Sequence, residues 1–333
     1  MNYRTLGGSG IKVSSLCLGT MTFGNRTPED EAARIVAAAR DAGVNFIDTA
    51  DSYARGESER LTGRLIASDR RHWVLATKVG NPMSEVLNER GLSRRWIMTS
   101  VEDSLARLGT DWIDIYYLHL DDPQTPLEQT ATAMGDLIRS GKIRYFGMSN
   151  YPAWRIAQMI EMCRQLAIPS PIVCQPYYNA MNRMPEVEVL PCCAHYGLGV
   201  VPYSPLARGV LTGKYRPGEA PPPESRAGRS DKRMMETEFR SESIALAQTI
   251  KTHAEGRGMT AGQFALNWVL NNRLVTSVLV GPRTLEHWRE YLGALQHSFT
   301  AEDEALVNSL VAPGHPSTPG YSDPRYPITG RVT

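Results

Sequence analysis

The sequence VNFIDTADSY, residues 44–53, decides the fold. Its first half, VNFI, is largely apolar and predicts a buried strand, and the pattern turns polar at Asp48. Asp48 therefore lies at the carboxyl end of the strand, and Tyr53 lies in the loop that follows.

Two later stretches have the same form. The apolar run VLATKVG reaches Lys78, and the apolar run IDIYYLHLDD reaches His119. The carboxyl ends of the strands of a parallel α/β barrel converge on one face, and catalytic residues come from several of them. We therefore expect Asp48, Tyr53, Lys78 and His119 to form one site.

Strand and helix patterns alternate eight times along the chain. This alternation predicts an α/β fold, a (β/α)8 TIM barrel with a parallel sheet and right-handed crossovers. We expect a single domain over residues 1–333, with an N-terminal hairpin at 3–14 and extra helices near strand eight. The segment 207–240 has no hydrophobic period, and residues 313–333 are rich in Pro and Gly and predict an extended tail.

The composition excludes several classes of function. With 333 residues, 42% of them hydrophobic, the chain supports a large core, and its net charge of +1 gives no sign of a nucleic-acid partner. No apolar run approaches the roughly 18 residues of a membrane span, and MNYRTLGGSG lacks the apolar core of a signal peptide. The five cysteines show no disulfide or metal-ligand spacing. We expect a cytoplasmic protein without a metal site.

The four residues at the strand ends resemble the catalytic tetrad of the aldo-keto reductases, which reduce carbonyl compounds with a nicotinamide cofactor inside a TIM barrel. The resemblance covers nearly the whole chain and points to the branch that holds bacterial aldehyde reductases and the β subunits of voltage-gated potassium channels. The stretches that carry it include LCLGTMTFG, IDTADSYARGESE, GMSNY, YSPLARGVLTGKY and VLVGPRT.

The resemblance implies a role for each member of the tetrad. Carbonyl reduction needs a hydride on carbon and a proton on oxygen, and the resemblance assigns the proton to Tyr53. Lys78 is expected to lower the pKa of Tyr53, and Asp48 is expected to keep Lys78 charged and in place. His119 is expected to hydrogen-bond the substrate oxygen. Taken one at a time, these residues also fit a structural ion pair, a loop aromatic and a core histidine.

No G-x-G-x-x-G lies between a strand and a helix, so the common dinucleotide fingerprint is absent. The resemblance implies a different site for NADPH or NADP+. In that site Ser149, Asn150 and Gln175 hold the nicotinamide carboxamide, and Tyr203 stacks on the nicotinamide ring. The other cofactor-binding positions are Gly19, Thr20, Met21 and Asp48, then Ser204, Pro205, Leu206, Arg208, Gly209 and Lys214 around the pyrophosphate, and finally Gly281, Arg283, His287, Glu290 and Tyr291 around the adenosine. The segment 207–240 is expected to cover the bound cofactor.

The adenosine end departs from the family pattern. Gly281 and Arg283 match the positions that reach the 2′-phosphate, and Glu290 matches an adenine contact. His287 stands where Gln is usual, and Tyr291 stands where Asn is usual. The usual Asn contact with adenine is therefore missing. Arg283 predicts a preference for NADPH, because a guanidinium matches the geometry of a phosphate.

The substrate is expected to be a small-molecule carbonyl compound. Phe23, Met83, Met148 and Tyr151 follow strands and would line an apolar pocket, and barrel core is an equal interpretation of them. Leu120 replaces a residue that is often Arg, so an anionic substrate loses one partner there.

The sequence thus predicts an NADPH-dependent oxidoreductase that reduces aldehydes or ketones to alcohols. A redox-sensing β-type regulatory subunit that binds NADP(H) with little turnover stays open as an alternative, and the short segment before the hairpin counts against it. A barrel hydrolase or isomerase would need paired carboxylates or a metal cluster at the strand ends, and we find neither. The sequence leaves a homo-oligomer open.

Overall fold

A computed structural model of the protein describes residues 1–327. These residues form two compact units. The first comprises Met1–Pro176, Glu188–Tyr203 and Arg273–Arg289, and the second comprises Tyr177–Val187, Ser204–Asn272 and the residues from Glu290 onward. The single domain expected from the sequence stays a prediction. Within residues 1–327 we find no helix that is long and apolar enough to cross a membrane.

The first unit is built on a parallel sheet of eight strands, in which the first seven pair in chain order and the eighth pairs with the first. Backbone N–H groups of Thr276 and Leu279 donate to Val200 O and Pro202 O at 2.8 and 3.0 Å, which closes the sheet between its end strands. This confirms the (β/α)8 barrel. The strands are β3 (Leu16–Gly19), β4 (Phe46–Asp48), β5 (Val74–Val79), β6 (Ile113–Leu118), β7 (Ile143–Ser149), β8 (Val173–Gln175), β9 (Gly199–Val200) and β10 (Val278–Val280).

Helices follow the strands in the predicted alternation. Ser93, predicted as an N-cap, accepts a hydrogen bond from Trp96 N at 3.3 Å and begins the third helix. The helices are α1 (Glu29–Asp41), α2 (Glu57–Ile66), α3 (Arg94–Leu108), α4 (Leu127–Arg139), α5 (Ala153–Gln165), α6 (Val189–Tyr196), α7 (Lys232–Thr237), α8 (Ser241–Gly256), α9 (Ala261–Asn271), α10 (Leu285–Ala294) and α11 (Ala301–Leu310).

The N-terminal hairpin, predicted over residues 3–14, consists of the antiparallel strands β1 (Tyr3–Thr5) and β2 (Lys12–Ser14). Leu6 and Val13 are fully buried and join the apolar cluster formed by the interior residues of the barrel strands. Gly7 has φ +54°, and a Cβ there would lie 2.4 Å from Ile172 O, so only glycine fits. The hairpin is therefore packed tightly against the strands and seals one end of the barrel core.

The second unit contains α7, α8, α9 and α11. Two of these helices begin with capping boxes, at Thr260 and Thr300, in which the cap side chain and the third helical residue satisfy each other's backbone N–H groups. Asp303 is buried in α11, where it accepts a hydrogen bond from His253 Nε2 at 2.7 Å and pairs with Arg257. These contacts fix α11 against α8.

The predicted C-terminal tail is ordered as far as it is described. Arg183 N donates to His315 O at 3.0 Å, and Ser317 N donates to Met181 O at 2.9 Å. Arg233 and Asp323 form an ion pair at 2.7 Å. Residues 328–333 of the predicted tail lie outside the described residues.

Two segments contain more structure than the sequence predicts. The segment 207–240 includes a 3-10 helix, Ala207–Thr212, and the short α7, whose N-cap Asp231 accepts from Met234 N at 3.0 Å. Helix α11 was not predicted, although its capping box, Thr300 followed by Asp303, is legible in the sequence. Helices α7 and α11 are short and lack a strong apolar period, so their stability depends on N-caps and tertiary contacts.

Candidate active site

Asp48 and Lys78 lie on neighbouring strands, Asp48 at the end of β4 and Lys78 near the end of β5. Both side chains are fully buried and form an ion pair. The Lys78 ammonium also donates to Thr49 O at 2.7 Å and to the Tyr53 hydroxyl at 3.4 Å. Lys78 therefore joins the end of β4 to the loop that carries Tyr53.

The charge of the buried pair is held by its neighbours. Burial would lower the pKa of Lys78, but the Asp48 carboxylate and the Tyr53 side chain together outweigh burial, and the pKa of Lys78 is raised. Burial raises the pKa of Asp48 above its ordinary value, and Lys78 and the hydrogen bond from Gln175 offset only part of that rise. Gln175 Nε2 donates to Asp48 Oδ2 at 3.0 Å. The pair is ionised, because both partners have charge-assisted hydrogen bonds that a neutral pair would lose.

Tyr53 begins a strained loop. It starts a 3-10 turn, Tyr53–Gly56, in which Ala54, Arg55 and Gly56 have φ of 48°, 54° and 90°. Successive residues in the left-handed region are costly for non-glycine residues and persist where the surroundings fix them. The loop thus presents Tyr53 in a defined position, partly exposed to solvent, with its hydroxyl beside Lys78.

The pKa of Tyr53 differs from the prediction. Burial raises this pKa, the Lys78 charge lowers it, and the net direction is upward from the ordinary value. The predicted effect of Lys78 is thus present but is outweighed by desolvation of the phenolate. Tyr53 consequently keeps its proton at neutral pH.

His119 follows β6, and its backbone N–H donates to Val79 O at 2.9 Å, next to Lys78. Asn81 Nδ2 lies 2.9 Å from His119 Nδ1, and the His119 and Tyr53 rings meet edge to face with centroids 6.0 Å apart. The four predicted residues are therefore brought together on adjacent strand ends. Asn81, which orients the imidazole, was missed by the sequence reasoning; its position directly after β5 was the available signal.

The residues predicted for the nicotinamide form a second network in the first unit. Ser149 Oγ donates to Gln175 O at 2.8 Å. Asn150 Nδ2 donates to His119 O at 2.9 Å, and the Tyr203 hydroxyl donates to Asn150 Oδ1 at 2.8 Å. Ser149, Asn150, Gln175 and Tyr203 thus connect to both Asp48 and His119 through hydrogen bonds.

Residues after β3 and β10 were also predicted to bind the cofactor. Gly19 ends β3 opposite Asp48, Thr20 Oγ1 donates to Asp48 O at 3.2 Å, and Met21 is 43% exposed. A Cβ at Gly281 would meet open space, so the backbone there is accessible. Arg283 is half-buried and its carbonyl accepts from Thr27 Oγ1 at 3.1 Å. Within residues 1–327 no acceptor pairs with its guanidinium. His287 lies one turn further on, in α10.

The pyrophosphate positions lie in the second unit, in a turn with unusual backbone. Ser204, Ala207, Arg208 and Gly209 have φ of 56°, 47°, 52° and 104°. Turns of this kind direct backbone N–H groups to one side and favour anions. A Cβ at Gly209 would come within 3.0 Å of the Lys214 ammonium. Pro205 and Leu206 complete the turn, and Asn179 Nδ2 donates to Ser204 O at 3.1 Å.

Glu290 and Tyr291, the predicted adenine contacts, lie in α10. Glu290 Oε1 accepts a hydrogen bond from Thr260 Oγ1 at 2.9 Å. This bond orients the carboxylate. The proposed contact of Glu290 with adenine stays a prediction.

The predicted pocket residues divide by exposure. Phe23, Met148 and Tyr151 are buried, and Met83 is half-buried. Their assignment to a substrate pocket stays a prediction.

The barrel and the family comparison together define the class of protein. The chain belongs to the aldo/keto reductase family, whose model matches residues 15–312, and it is an oxidoreductase. Members of this family generally use NADP(H).

Its relatives include proteins with different stated roles. A probable voltage-gated potassium channel subunit beta of Arabidopsis thaliana is 38% identical over 84% of this chain and 87% of its own length. The L-glyceraldehyde 3-phosphate reductase of Escherichia coli (strain K12) is 34% identical over 94% of this chain and 93% of its own. An uncharacterized oxidoreductase of Bacillus subtilis (strain 168) is 35% identical over 97% of this chain and 100% of its own.

Proposed function

We propose that the protein reduces aldehydes or ketones to alcohols with NADPH, taking the proton from Tyr53. The observation that carries this proposal is the placement of the Lys78 ammonium, which donates to both Asp48 and the Tyr53 hydroxyl. A buried cation beside a phenol stabilises the charge that forms when the phenol gives up its proton.

Each residue of the site has one task in this reaction. Tyr53 holds its proton at neutral pH, because burial raises its pKa, and delivers it to the carbonyl oxygen. Lys78 stabilises the developing phenolate, and Asp48 keeps Lys78 charged. Asn81 donates to Nδ1 of His119, so a neutral His119 carries its proton on Nε2 and donates it to the substrate oxygen. NADPH supplies the hydride when it is bound.

The residues present suit this cofactor. Gln175, Asn150 and Ser149 offer amide and hydroxyl groups for a carboxamide, and Tyr203 offers an aromatic face. The turn at Ser204–Gly209, with Lys214 beside it, offers backbone N–H groups and a cation for a pyrophosphate. Arg283 offers its guanidinium for the 2′-phosphate, which favours NADPH over NADH.

The substrate class follows from the apolar residues near the strand ends. Phe23, Met83, Met148 and Tyr151 suit aromatic or medium-chain aldehydes, and Leu120 gives an anionic substrate no charged partner. The relative from Escherichia coli is named for a phosphorylated aldehyde. A panel assayed for NADPH oxidation should therefore include benzaldehyde, a medium-chain aldehyde and L-glyceraldehyde 3-phosphate.

Tyr53→Phe tests the proton donor. Because general acid catalysis contributes about a hundredfold or more, turnover of the best aldehyde should fall at least that far. Fluorescence titration should show NADPH affinity close to wild type. Tyr3→Phe, which removes only a hydroxyl bonded to Gly43 O in the hairpin, is the matched control and should keep its turnover. A Tyr53→Phe enzyme within about threefold of wild type, against that hundredfold, would rule out Tyr53 as donor.

The names of two relatives favour a second function. Probable potassium channel β subunits of Arabidopsis thaliana and Oryza sativa are 38% and 37% identical to this chain. In that role the protein would bind NADP(H) and regulate a membrane partner with little turnover. Co-purification with a membrane protein, without multiple turnovers on any carbonyl of the panel, would favour this second role.

We also propose the cytoplasm as the compartment. All five cysteines are free thiols, as expected in a reducing environment. The near-neutral net charge argues against a nucleic-acid partner.

A further inference from the structure

Two further carboxyl groups lie beneath the Tyr53 loop and take no part in the mechanism above. Asp51 belongs to the loop itself, and Glu59 belongs to α2. Both residues are fully buried. Buried carboxyl groups are costly unless they are hydrogen-bonded and their charge is compensated, so their partners indicate what they do.

Asp51 ties the loop to three other elements. Its backbone N–H donates to Lys78 O in β5 at 3.3 Å. Its carboxyl group accepts from Ser52 N at 2.6 Å and from Ser100 Oγ in α3 at 3.2 Å. Ser100 in turn accepts from the Tyr116 hydroxyl in β6 at 3.3 Å. Asp51 thus fixes the loop two residues before Tyr53.

Glu59 forms an ion pair with Arg107. Its two oxygens accept from Thr77 Oγ1 and Arg107 Nε, each at 2.6 Å. Arg107 lies directly under the loop, since a Cβ at Gly56 would come within 2.7 Å of its Cδ. The groups that act on Asp51 are Glu59 from α2, Arg107 from α3, Tyr116 from β6 and Tyr53 from its own loop. Arg107 is therefore ion-paired with Glu59, and Asp51 has no ion-pair partner among residues 1–327.

The electrostatics agree with this geometry. Burial, and then the Glu59 charge, raise the pKa of Asp51 to about 8, against the opposing effects of Ser52, Arg107 and Ser100. An ionised Asp51 in turn raises the pKa of Tyr53. Asp51 and Tyr53 are therefore coupled through space as well as through the loop.

We propose that Asp51 is a positioning residue for Tyr53, and that its carboxyl group, with Glu59 and Arg107, forms a proton-dependent brace beneath the loop. With Asp51 neutral, the brace is charge-balanced and the loop holds Tyr53 beside Lys78. Ionisation of Asp51 places a second negative charge next to Glu59, loosens the brace and makes Tyr53 a weaker acid. Carbonyl reduction slows as a result. This inference rests on the proposed function for its effect on catalysis, but not for the titration of Asp51 itself.

The pH profile of turnover tests the brace. In wild type, kcat for an aldehyde should fall as pH rises through about 8, with KM for NADPH nearly constant. Asp51→Asn keeps the shape of the neutral acid, with an oxygen that accepts from Ser52 N and an amide that donates to Ser100 Oγ, but it cannot ionise. Its kcat profile should extend about one pH unit or more beyond that of wild type, because nearby like charges shift pKa values by this much. Superimposable profiles would overturn the proposal.

Ser100→Ala gives a second measurement on a different helix. It removes a hydrogen bond that lowers the pKa of Asp51, so the fall in kcat should move to higher pH. A merely structural role for Ser100 would lower kcat equally at every pH, which would count against the brace.

Thermal unfolding tests the titration of Asp51 without any measurement of catalytic activity. The native protein holds a proton on Asp51 that the unfolded chain releases near pH 4, so wild type should lose stability relative to Asp51→Asn as pH rises from about 4 to about 8. Parallel melting curves across this range would overturn the brace even if the wild type proved inactive. Inactivity with diverging curves would instead refute the proposed function and leave the brace standing.

Discussion

Lys78→Met removes a buried ammonium and leaves the Asp48 carboxyl group without its cation. Both side chains are fully buried, and Gln175 Nε2 still donates to Asp48. Removing one partner of a buried ion pair costs about 3–5 kcal/mol. The entropy of unfolding is about 2.1 cal/mol/K per residue, or about 0.7 kcal/mol/K for this chain, so a single unfolding transition should shift down by about 4–7 °C.

The loss of stability in Lys78→Met should depend on pH in a defined direction. Burial raises the pKa of Asp48 and Lys78 opposes it, so the variant raises that pKa further. At a pH below about 4 the carboxyl group is protonated in the folded and unfolded states alike, and the penalty is smallest. As pH rises above 4, the unfolded chain releases the proton first and the penalty grows. The melting temperatures of the variant and wild type should therefore diverge as pH rises above about 4.

A double variant separates stability from catalysis. Lys78→Met combined with Asp48→Asn removes both charges, so it should recover most of the lost stability and abolish the divergence with pH. Both the single and the double variant lack the cation beside Tyr53. We therefore expect the turnover of each to be at least about a hundredfold below wild type. Melting curves and aldehyde kinetics on the same samples provide the test. A single variant that keeps its activity per folded molecule, or a double variant as unstable as the single one, would refute this account of the pair.

Two further predictions concern the cofactor. Wild type should prefer NADPH over NADH by at least about tenfold in kcat/KM, roughly 1.4 kcal/mol, and Arg283→Ala should erase most of that preference by weakening NADPH alone. Arg95→Ala, at an exposed position in α3, is the control for the loss of an arginine and should keep the preference. If Arg283→Ala also keeps the full preference, Arg283 does not bind the 2′-phosphate. The segment 207–240 should be cleaved readily by protease in the free protein and protected by saturating NADPH. Equal cleavage rates would show that this segment does not cover the cofactor.

The barrel was predictable because its strands end abruptly. Strand β3 has the predicted bounds, because its apolar run ends just before Thr20. Ser93 was recognisable as the N-cap of α3. The four strand-end residues of the candidate site followed from the same pattern. Parallel strands bring their carboxyl ends together, so the sequence positions of Asp48, Lys78 and His119 implied a shared face.

Contacts between distant residues were not predictable. The direction of the Tyr53 pKa depends on burial, which no local pattern reports. Asn81 meets His119 across neighbouring strands, and Asp51 meets Ser100 of α3. These pairs are set by the curvature of the sheet and by the angle at which α3 packs, both of which are properties of the folded barrel.

The closure of the sheet has a consequence for synthesis on the ribosome. Strand β3 pairs with β10, which follows it by about 260 residues. At about 5–20 residues per second, β10 leaves the ribosome tens of seconds after β3. From the time that β9 emerges until β10 follows it, β3 and β9 are both edge strands with unpaired backbone groups, which are templates for pairing with other chains. A chain that stalls between Val200 and Val278 is therefore left with two open edges, and such exposed edges are prone to aggregation.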